Sequence, residues 1–92
     1  MGLHVYILAN RTKVLYVGVT SDLKTRTFQH KLHLVAGFTT RYNLDELVYF
    51  EEYGDPMTAI EREKRIKRMT REKKIKLIEG VNPDWRDLAD TL

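Results

Sequence analysis

The 92-residue sequence predicts an α/β protein of the α+β type, with a three-stranded antiparallel sheet flanked by helices, as a single domain over residues 1–92. Two segments rich in β-branched and aromatic residues, 4–9 and 14–19, are separated by a polar break and predict a β-hairpin. A third segment of similar composition, 47–51, predicts the remaining strand. Capping residues after the hairpin and after the third strand predict helices that pack on this sheet.

The predicted hairpin carries one tyrosine on each strand, Tyr6 and Tyr16. Side chains alternate between the two faces of a strand, so a slip of one residue moves every side chain to the other face. The two tyrosines share a face only if paired residue numbers sum to an even value, as with a three- or five-residue loop. We predict this register. Taken alone, both tyrosines are ordinary strand residues.

Capping residues mark where the first two helices begin. The run at 20–22 predicts the N-cap of a helix that extends to about Val35, followed by a loop at 37–40. Asp55 predicts the cap of a second helix over 56–68, with proline at its first position.

The last quarter of the sequence continues the helical pattern. Met69 and Thr70 predict a third helix, or a bend, that ends at Gly80. Residues 82–83 then predict a short terminal helix with one apolar stripe at positions i, i+3, i+4 and i+7, formed by Trp85, Leu88, Ala89 and Leu92. We interpret this stripe as packing.

Composition excludes several classes of protein. With 42% hydrophobic and 32% charged residues, the chain is typical of a folded domain rather than a disordered one. Its longest apolar stretch, 5–9, is far shorter than the roughly 18 to 20 residues that span a membrane. The absence of cysteine excludes disulfides and thiolate metal sites, and the first residues lack the pattern of a secretion signal. We therefore expect a cytoplasmic protein with no membrane partner.

Basic residues are concentrated in one region. The formal net charge is only +3, but nine basic residues stand between positions 62 and 76 against two glutamates. Such a density suits the binding of a polyanion. A charge run taken alone is more often a solvated helix face, so this run supports nucleic-acid binding only beside a site.

One carboxylate on the second helix conflicts with its surroundings. Helical periodicity places Glu63 on the apolar face, which it shares with Ala59, Ile60 and Ile66. An inward carboxylate needs a partner, and an internal arginine or a metal ion fits equally well. Glu61, by contrast, points outward beside Arg65 and predicts an exposed i,i+4 ion pair.

The first helix carries a cation and an imidazole side by side. Arg26 and His30 stand at i and i+4, where a phosphate-binding guanidinium adjoins a group that can move a proton near neutral pH. By itself, this spacing arises more often by chance. His30 and His33 could together bind a transition metal, but a third ligand is missing and we disfavour that reading.

In combination, these residues resemble the GIY-YIG nuclease family. Residues 4–6 (His-Val-Tyr) stand where the first triplet falls, and residues 16–18 (Tyr-Val-Gly) stand where the second falls. The likeness covers nearly the whole chain and is closest to the small, free-standing bacterial members of the URI type. It continues through 20–26, His30, 59–63, Lys67, Arg71, Lys74 and 82–85. The chain departs from the family at His4 and Val5, where glycine and isoleucine are usual.

The resemblance implies a GIY-YIG-like fold and a Mg²⁺-dependent endonuclease, with Mn²⁺ as a candidate substitute. It also implies the active-site positions, which are Tyr6, Tyr16, Arg26, His30 and Glu63, with Glu63 as the metal ligand. We predict that four basic residues contact the nucleic acid: Lys24, Lys67, Arg71 and Lys74. DNA is the expected substrate, cut with low or structure-based specificity, and a homodimer or a protein partner would supply further specificity. Whether a tyrosine or His30 removes the proton from water stays open.

Two other functions are compatible with the sequence. A non-catalytic module could bind phosphates through the basic helices, while the five polar residues of the expected active site only stabilise the core. An interaction protein could instead use the stripe that begins at Trp85. Mg²⁺-dependent nicking separates nuclease from binding module, and binding that ignores salt would favour the third reading.

Overall fold

Three strands and four α-helices form the architecture of the described residues, and apart from the short second helix they follow the order expected from the sequence. The computed structural model describes residues 2–35 and 37–92. Its elements are β1 (Leu3–Ala9), β2 (Leu15–Thr20), α1 (Leu23–Lys31), α2 (Phe38–Arg41), β3 (Glu46–Tyr53), α3 (Pro56–Arg68), α4 (Arg71–Glu79) and a 3₁₀ helix (Leu88–Thr91). The predicted fold class is confirmed. Within the described residues, no helix has the length and apolarity needed to cross a bilayer.

The sheet is antiparallel throughout, with β1 between β2 and β3. Tyr6 pairs with Gly18 and Leu8 pairs with Tyr16, so paired residue numbers sum to an even value across a five-residue loop. The predicted register is therefore confirmed, and both tyrosines lie on one face. The side chain of Asn10 stabilises the loop by accepting hydrogen bonds from the backbone of Thr12 and Val14.

Both faces of the sheet are covered, which makes β1 almost fully buried. We call them the α3 face and the α1 face after the helices that cover them. The α3 face packs β1 against α3 and α4 through Val5, Ile7, Ala9, Ala59, Ile66 and Ile78. The α1 face carries Tyr6, Leu8, Leu23, Leu44 and Leu47. Alternate residues of β1 thus serve two separate clusters, as the period of a strand requires.

Side-chain caps begin the three longer helices. The carboxylates of Asp22 and Asp55 accept from the third backbone amide after each, and Thr70 does so through its hydroxyl. Each cap contributes about 1 kcal/mol by satisfying an amide that lacks a partner in the helix. The predicted start of α1 and both bounds of α3 are confirmed, and the segment after Met69 is a separate helix rather than a bend.

The predicted end of α1 and the loop after it are wrong. The helix ends at Lys31 instead of continuing to Val35. His33 adopts the left-handed conformation (φ 56°), and the amide of Leu34 bonds back to the carbonyl of Gln29, which closes the helix without a glycine. Residues 38–40 of the predicted loop belong to the short helix α2, which ends at Arg41.

The predicted terminal helix is also wrong. Buried Asn82 donates from its amide to the carbonyls of Val48 and Arg86 and accepts from the Arg86 amide. These bonds compete with a helix, and Trp85 adopts a positive φ of 53°. The expected stripe is consequently divided: Trp85 packs against the α3 face, whereas Leu88 and Ala89 pack against the α1 face. The single stripe on which the interaction-protein interpretation depended is therefore not formed.

Candidate active site

The outer edge of the Tyr6 ring lies directly over Gly18 of β2. A Cβ atom at Gly18 would stand 2.6 Å from both the Cζ and the hydroxyl oxygen of Tyr6, and 3.0 Å from Cε2 of Tyr16. Carbon atoms in contact are normally about 3.5 to 4.0 Å apart, so no larger side chain fits while the ring stays in place. Gly18 therefore provides the space in which Tyr6 is seated.

Three aromatic rings from three different elements meet on the α1 face. The ring centroids are 6.3 Å apart for Tyr6 and Tyr16, 6.2 Å for Tyr6 and His30, and 6.1 Å for Tyr16 and His30. The strand register supplies the two phenols, and the buried side of α1 supplies the imidazole. The structure thus brings together three of the five residues expected at the site through direct ring contacts.

His30 is buried, and only one of its ring nitrogens is engaged. Nδ1 lies 3.1 Å from the hydroxyl of Thr39, whereas Nε2 is buried with no hydrogen-bond partner among the described residues. Burial and then the Arg26 guanidinium lower the pKa of His30, which favours the neutral imidazole. A buried polar atom without a partner is rare and unfavourable, so the free nitrogen is available to a bound group.

Arg26 and Glu63 complete the group around the Tyr6 hydroxyl. Burial raises the pKa of Tyr6 to about 12, with Tyr16 and the Glu63 carboxylate acting in the same direction. The nearby Arg26 guanidinium acts against them. Both charged groups are thus close enough to affect this phenol, and Tyr6 is protonated at neutral pH.

Glu63 is turned inward but is not isolated. Its side chain is 15% exposed, and its Oε2 lies 3.2 Å from Nζ of Lys67, whose side chain is 50% exposed. The partner is thus a half-exposed lysine one turn along α3, not the internal arginine that was considered. The expected pair of Glu61 with Arg65 is wrong, because no ion pair within 4 Å joins them in residues 2–35 and 37–92.

The donor set limits what kind of metal ion could bind. Over the described part of the chain, no three His, Cys, Asp or Glu side chains converge on one point. A metal cage built wholly from protein ligands is therefore excluded there. His33 is exposed and lies beyond the end of α1, whereas His30 is buried within that helix. A single inward carboxylate beside the Tyr6 hydroxyl fits Mg²⁺, which keeps several waters and needs few protein ligands.

The four basic residues expected to bind nucleic acid lie on three helices. Lys24 is exposed on α1, and Lys67 is engaged with Glu63 on α3. Arg71 and Lys74, at the start of α4, line a small pocket together with Val14 and Leu15 of the hairpin.

Sequence reasoning missed two features near the site. Thr39, which holds His30, lies in the segment expected to be a loop, and nothing in the sequence links the two residues. A second feature is a clasp between β3 and α3, in which Arg62 donates two hydrogen bonds of 2.9 Å to the Glu51 carboxylate. Tyr49 and Tyr53 donate to the same carboxylate.

The hydrogen bonds of the clasp keep the Glu51 carboxylate ionised. Burial alone would raise the pKa of Glu51, but the hydrogen bonds from Arg62, Tyr49 and Tyr53 outweigh it and lower that pKa to about 2. Because Arg62 directly precedes Glu63 on α3, the clasp fixes the rotation of this helix about its own axis and so keeps the Glu63 carboxylate turned inward.

Comparisons with known proteins identify the family of the chain. The sequence profile of the GIY-YIG catalytic domain matches residues 3–76. A UPF0213 protein of Oceanobacillus iheyensis is 36% identical over 76 residues, which cover 83% of this chain and 88% of the relative. A UPF0213 protein of Yersinia pestis is 33% identical over 75 residues, which cover 82% and 79% of the two chains. The profile spans all five residues of the candidate site.

A solved structure of similar fold exists among the same relatives. The solution NMR structure of a UPF0213 protein from Bacillus halodurans has a TM-score of 0.61 against this chain, at 25% sequence identity. The superposition covers 95% of this chain and 93% of that one, so the helices and strands correspond along almost the full length of both.

Proposed function

Since the chain belongs to the GIY-YIG family and carries its nuclease domain, we propose that it is a Mg²⁺-dependent endonuclease that hydrolyses phosphodiester bonds in DNA. The observation that supports this most directly is the meeting of two phenols and an imidazole on the α1 face, with the Arg26 guanidinium and the Glu63 carboxylate near enough to influence the pKa of Tyr6. Phosphodiester hydrolysis needs an activated water, stabilisation of charge on the phosphoryl oxygens and support of the leaving oxygen. These side chains can divide the three tasks.

Arg26 is proposed to stabilise the charge that develops on the phosphoryl group. A guanidinium is permanently charged, and its fork of N–H donors matches two phosphate oxygens. It lies near enough to the Tyr6 hydroxyl to oppose the rise in that phenol's pKa, which places it close to the centre of the site. Preorganised donors of this kind are typically worth about 10²- to 10³-fold in rate.

His30 is the best candidate for the group that takes the proton from water. Its imidazole is held neutral by burial and by Arg26, and Thr39 holds one nitrogen while Nε2 stays free. Tyr6 is poorly suited to this step because its pKa near 12 keeps it protonated. In this mechanism Tyr6 donates a hydrogen bond that orients the water or a phosphate oxygen, and Tyr16 does the same from β2.

Glu63 is proposed to hold the metal ion, with Mg²⁺ as the expected ion and Mn²⁺ as a substitute. When bound, the ion supplies positive charge at the phosphoryl and leaving oxygens. Lys67 must then release the Glu63 carboxylate, and its half-exposed side chain is free to turn towards solvent or a phosphate. Lys24, Arg71 and Lys74 are proposed to dock the nucleic-acid backbone.

The specificity proposed for this nuclease is low or structure-based. Phosphate contacts position a protein on nucleic acid without reading sequence. A second copy of the chain or a protein partner is proposed to supply any further selectivity.

The decisive experiment is a nicking assay of supercoiled DNA with the Glu63→Gln variant, in the presence and absence of Mg²⁺. We expect Mg²⁺-dependent nicking by the wild-type protein and none by the variant, because the amide keeps the shape but loses the charge that holds the ion. The matched control is Glu72→Gln, which removes an exposed glutamate that also faces a lysine at i+4. Full activity in Glu63→Gln, with an unchanged circular dichroism spectrum, would exclude Glu63 as the ligand of a metal ion that cleavage requires.

A second candidate is a binding module without catalysis. The observation in its favour is the ion pair of Glu63 with Lys67, which gives the inward carboxylate a purely structural partner. This candidate predicts salt-dependent DNA binding with no Mg²⁺-dependent nicking, and a Glu63→Gln variant that loses stability without any change in DNA affinity.

A further inference from the structure

A basic groove lies on the side of α3 that faces away from the candidate active site. We call it the outer groove. It has a volume of about 550 Å³ and is lined by Tyr53, Thr58, one acidic residue and four basic ones, namely Glu61, Arg62, Lys64, Arg65 and Arg68. Its four basic residues belong to the basic run at 62–76, but none of them is among the four residues expected from the sequence to contact nucleic acid.

Three cations of the outer groove have no acidic partner close by. Arg62 is neutralised by Glu51. For Lys64, Arg65 and Arg68, by contrast, no ion pair within 4 Å exists in the part of the chain that the structure describes. All three are exposed and stand within two turns of one helix, where like charges at i,i+4 repel each other. An arrangement of this kind is stabilised by an anion with several negative charges.

The outer groove and the candidate active site point in different directions. With 3.6 residues per turn, Lys64, Arg65 and Arg68 lie roughly 100° to 160° around the helix axis from Glu63. Ala59 and Ile66, which flank Glu63, are fully buried against the sheet. Duplex DNA is stiff, with a persistence length of about 50 nm, and the protein measures only 31 × 28 × 25 Å. One unbent duplex therefore cannot lie along both surfaces.

We propose that the outer groove is a second nucleic-acid-binding surface, which holds one duplex segment while the side of Glu63 engages another. Two of its three free cations are guanidinium groups, which match phosphate oxygens in pairs. An acidic peptide fits less well, because a specific peptide interface needs a buried apolar anchor and the only aromatic side chain here, Tyr53, is tied to Glu51 by its hydroxyl. The inference rests on the proposed function for the nature of its ligand.

The test counts how many short duplexes the full-length protein binds. A duplex of roughly one helical turn, about 10 bp, is too short to reach both surfaces and is titrated at low salt in EDTA, so that no cleavage occurs. Native mass spectrometry and calorimetry give the stoichiometry. We expect two duplexes per wild-type chain and one for the variant that combines Lys64→Gln, Arg65→Gln and Arg68→Gln.

The matched control combines Arg11→Gln, Arg41→Gln and Arg86→Gln, which removes the same charge from exposed positions outside the outer groove. We expect it to keep two duplexes per chain. On a branched DNA, the outer-groove variant should also lower the slope of log K against log salt by about 3, because three phosphate contacts are lost.

Four results would contradict the second binding surface, and each has a different meaning. A wild-type chain that binds one duplex, with no change in the outer-groove variant, would overturn the second surface and leave the proposed nuclease intact. An equal loss in both triple variants would overturn it as well, since the effect would then follow net charge. Binding of oligoglutamate to the outer groove in place of DNA would reassign it to an acidic protein. A wild-type chain that binds no duplex would overturn both proposals.

Discussion

Replacing Gly18 with alanine tests how the Tyr6 ring is seated. The new Cβ would lie 2.6 Å from Cζ and from the hydroxyl oxygen of Tyr6, about 1 Å closer than van der Waals contact permits. Tyr6 is only 1% exposed, so its ring cannot move into solvent without opening the α1 face. The ring, the β2 backbone or both must shift by about 1 Å.

Two opposing effects set the stability of Gly18→Ala. Overpacking in a core typically costs about 1 to 3 kcal/mol, whereas alanine is favoured over glycine in a strand by roughly 0.5 to 1 kcal/mol. We expect a net loss of about 1 to 2 kcal/mol. For a domain of this size, each kcal/mol lowers the Tm by about 4 to 8 °C.

The effect on activity should exceed the effect on stability. A misplacement of about 1 Å in a catalytic arrangement can reduce the rate about 10²-fold, so single-turnover nicking is measured at a temperature where the variant is fully folded. The control is Gly54→Ala, because a Cβ at Gly54 meets no atom within 4 Å among the described residues. Wild-type Tm and wild-type nicking in Gly18→Ala would refute the idea that this glycine makes room for Tyr6.

Three further perturbations address charge. Arg26→Ala should lower kcat by about 10²- to 10³-fold with little change in DNA affinity, and equal losses in turnover and binding would indicate mere docking. Lys67→Gln should tighten Mn²⁺ binding at Glu63 roughly fivefold in a calorimetric titration without DNA, because a nearby cation is removed. The control Lys67→Arg keeps the cation and should not tighten binding. Unchanged affinity in Lys67→Gln would argue against competition between Lys67 and the metal ion for Glu63. The pKa of Glu51 is depressed to about 2 from 4.5, so its contribution to stability is present above about pH 4.5 and is lost as the pH falls towards 2. Urea unfolding of Glu51→Gln should therefore show a flatter pH dependence than the wild type over that window, and parallel curves would contradict the assigned pKa.

Features set by neighbouring residues could be predicted from the sequence. The caps at Asp22, Asp55 and Thr70 act within one helical turn, and the hairpin joins two strands that are neighbours in the sequence. The inward position of Glu63 follows from helical periodicity in the same way. These predictions needed no knowledge of contacts between distant segments.

Features set by distant contacts could not be predicted. Asn82 holds the carbonyl of Val48, which is 34 residues away, and this bond replaces the terminal helix that the local pattern favours. Thr39, the hydrogen-bond partner of His30, follows a turn in which His33 adopts a positive φ. Nothing about a histidine at this position predicts that conformation. The pair of Glu63 with Lys67 is a different case, because the two stand at i and i+4 on one helix and local spacing alone could have indicated it.

The clasp between Glu51 and Arg62 also restricts how the gene can change. Arg62 locks the helix to the sheet, the next residue faces the phenols, and the two after that open onto the outer groove. Insertion or deletion of a single codon between 56 and 62 would turn everything beyond it by about 100°, carrying Glu63 away from Tyr6. Changes of length should accordingly be tolerated in the turns before and after α3, while within the helix only substitutions can accumulate.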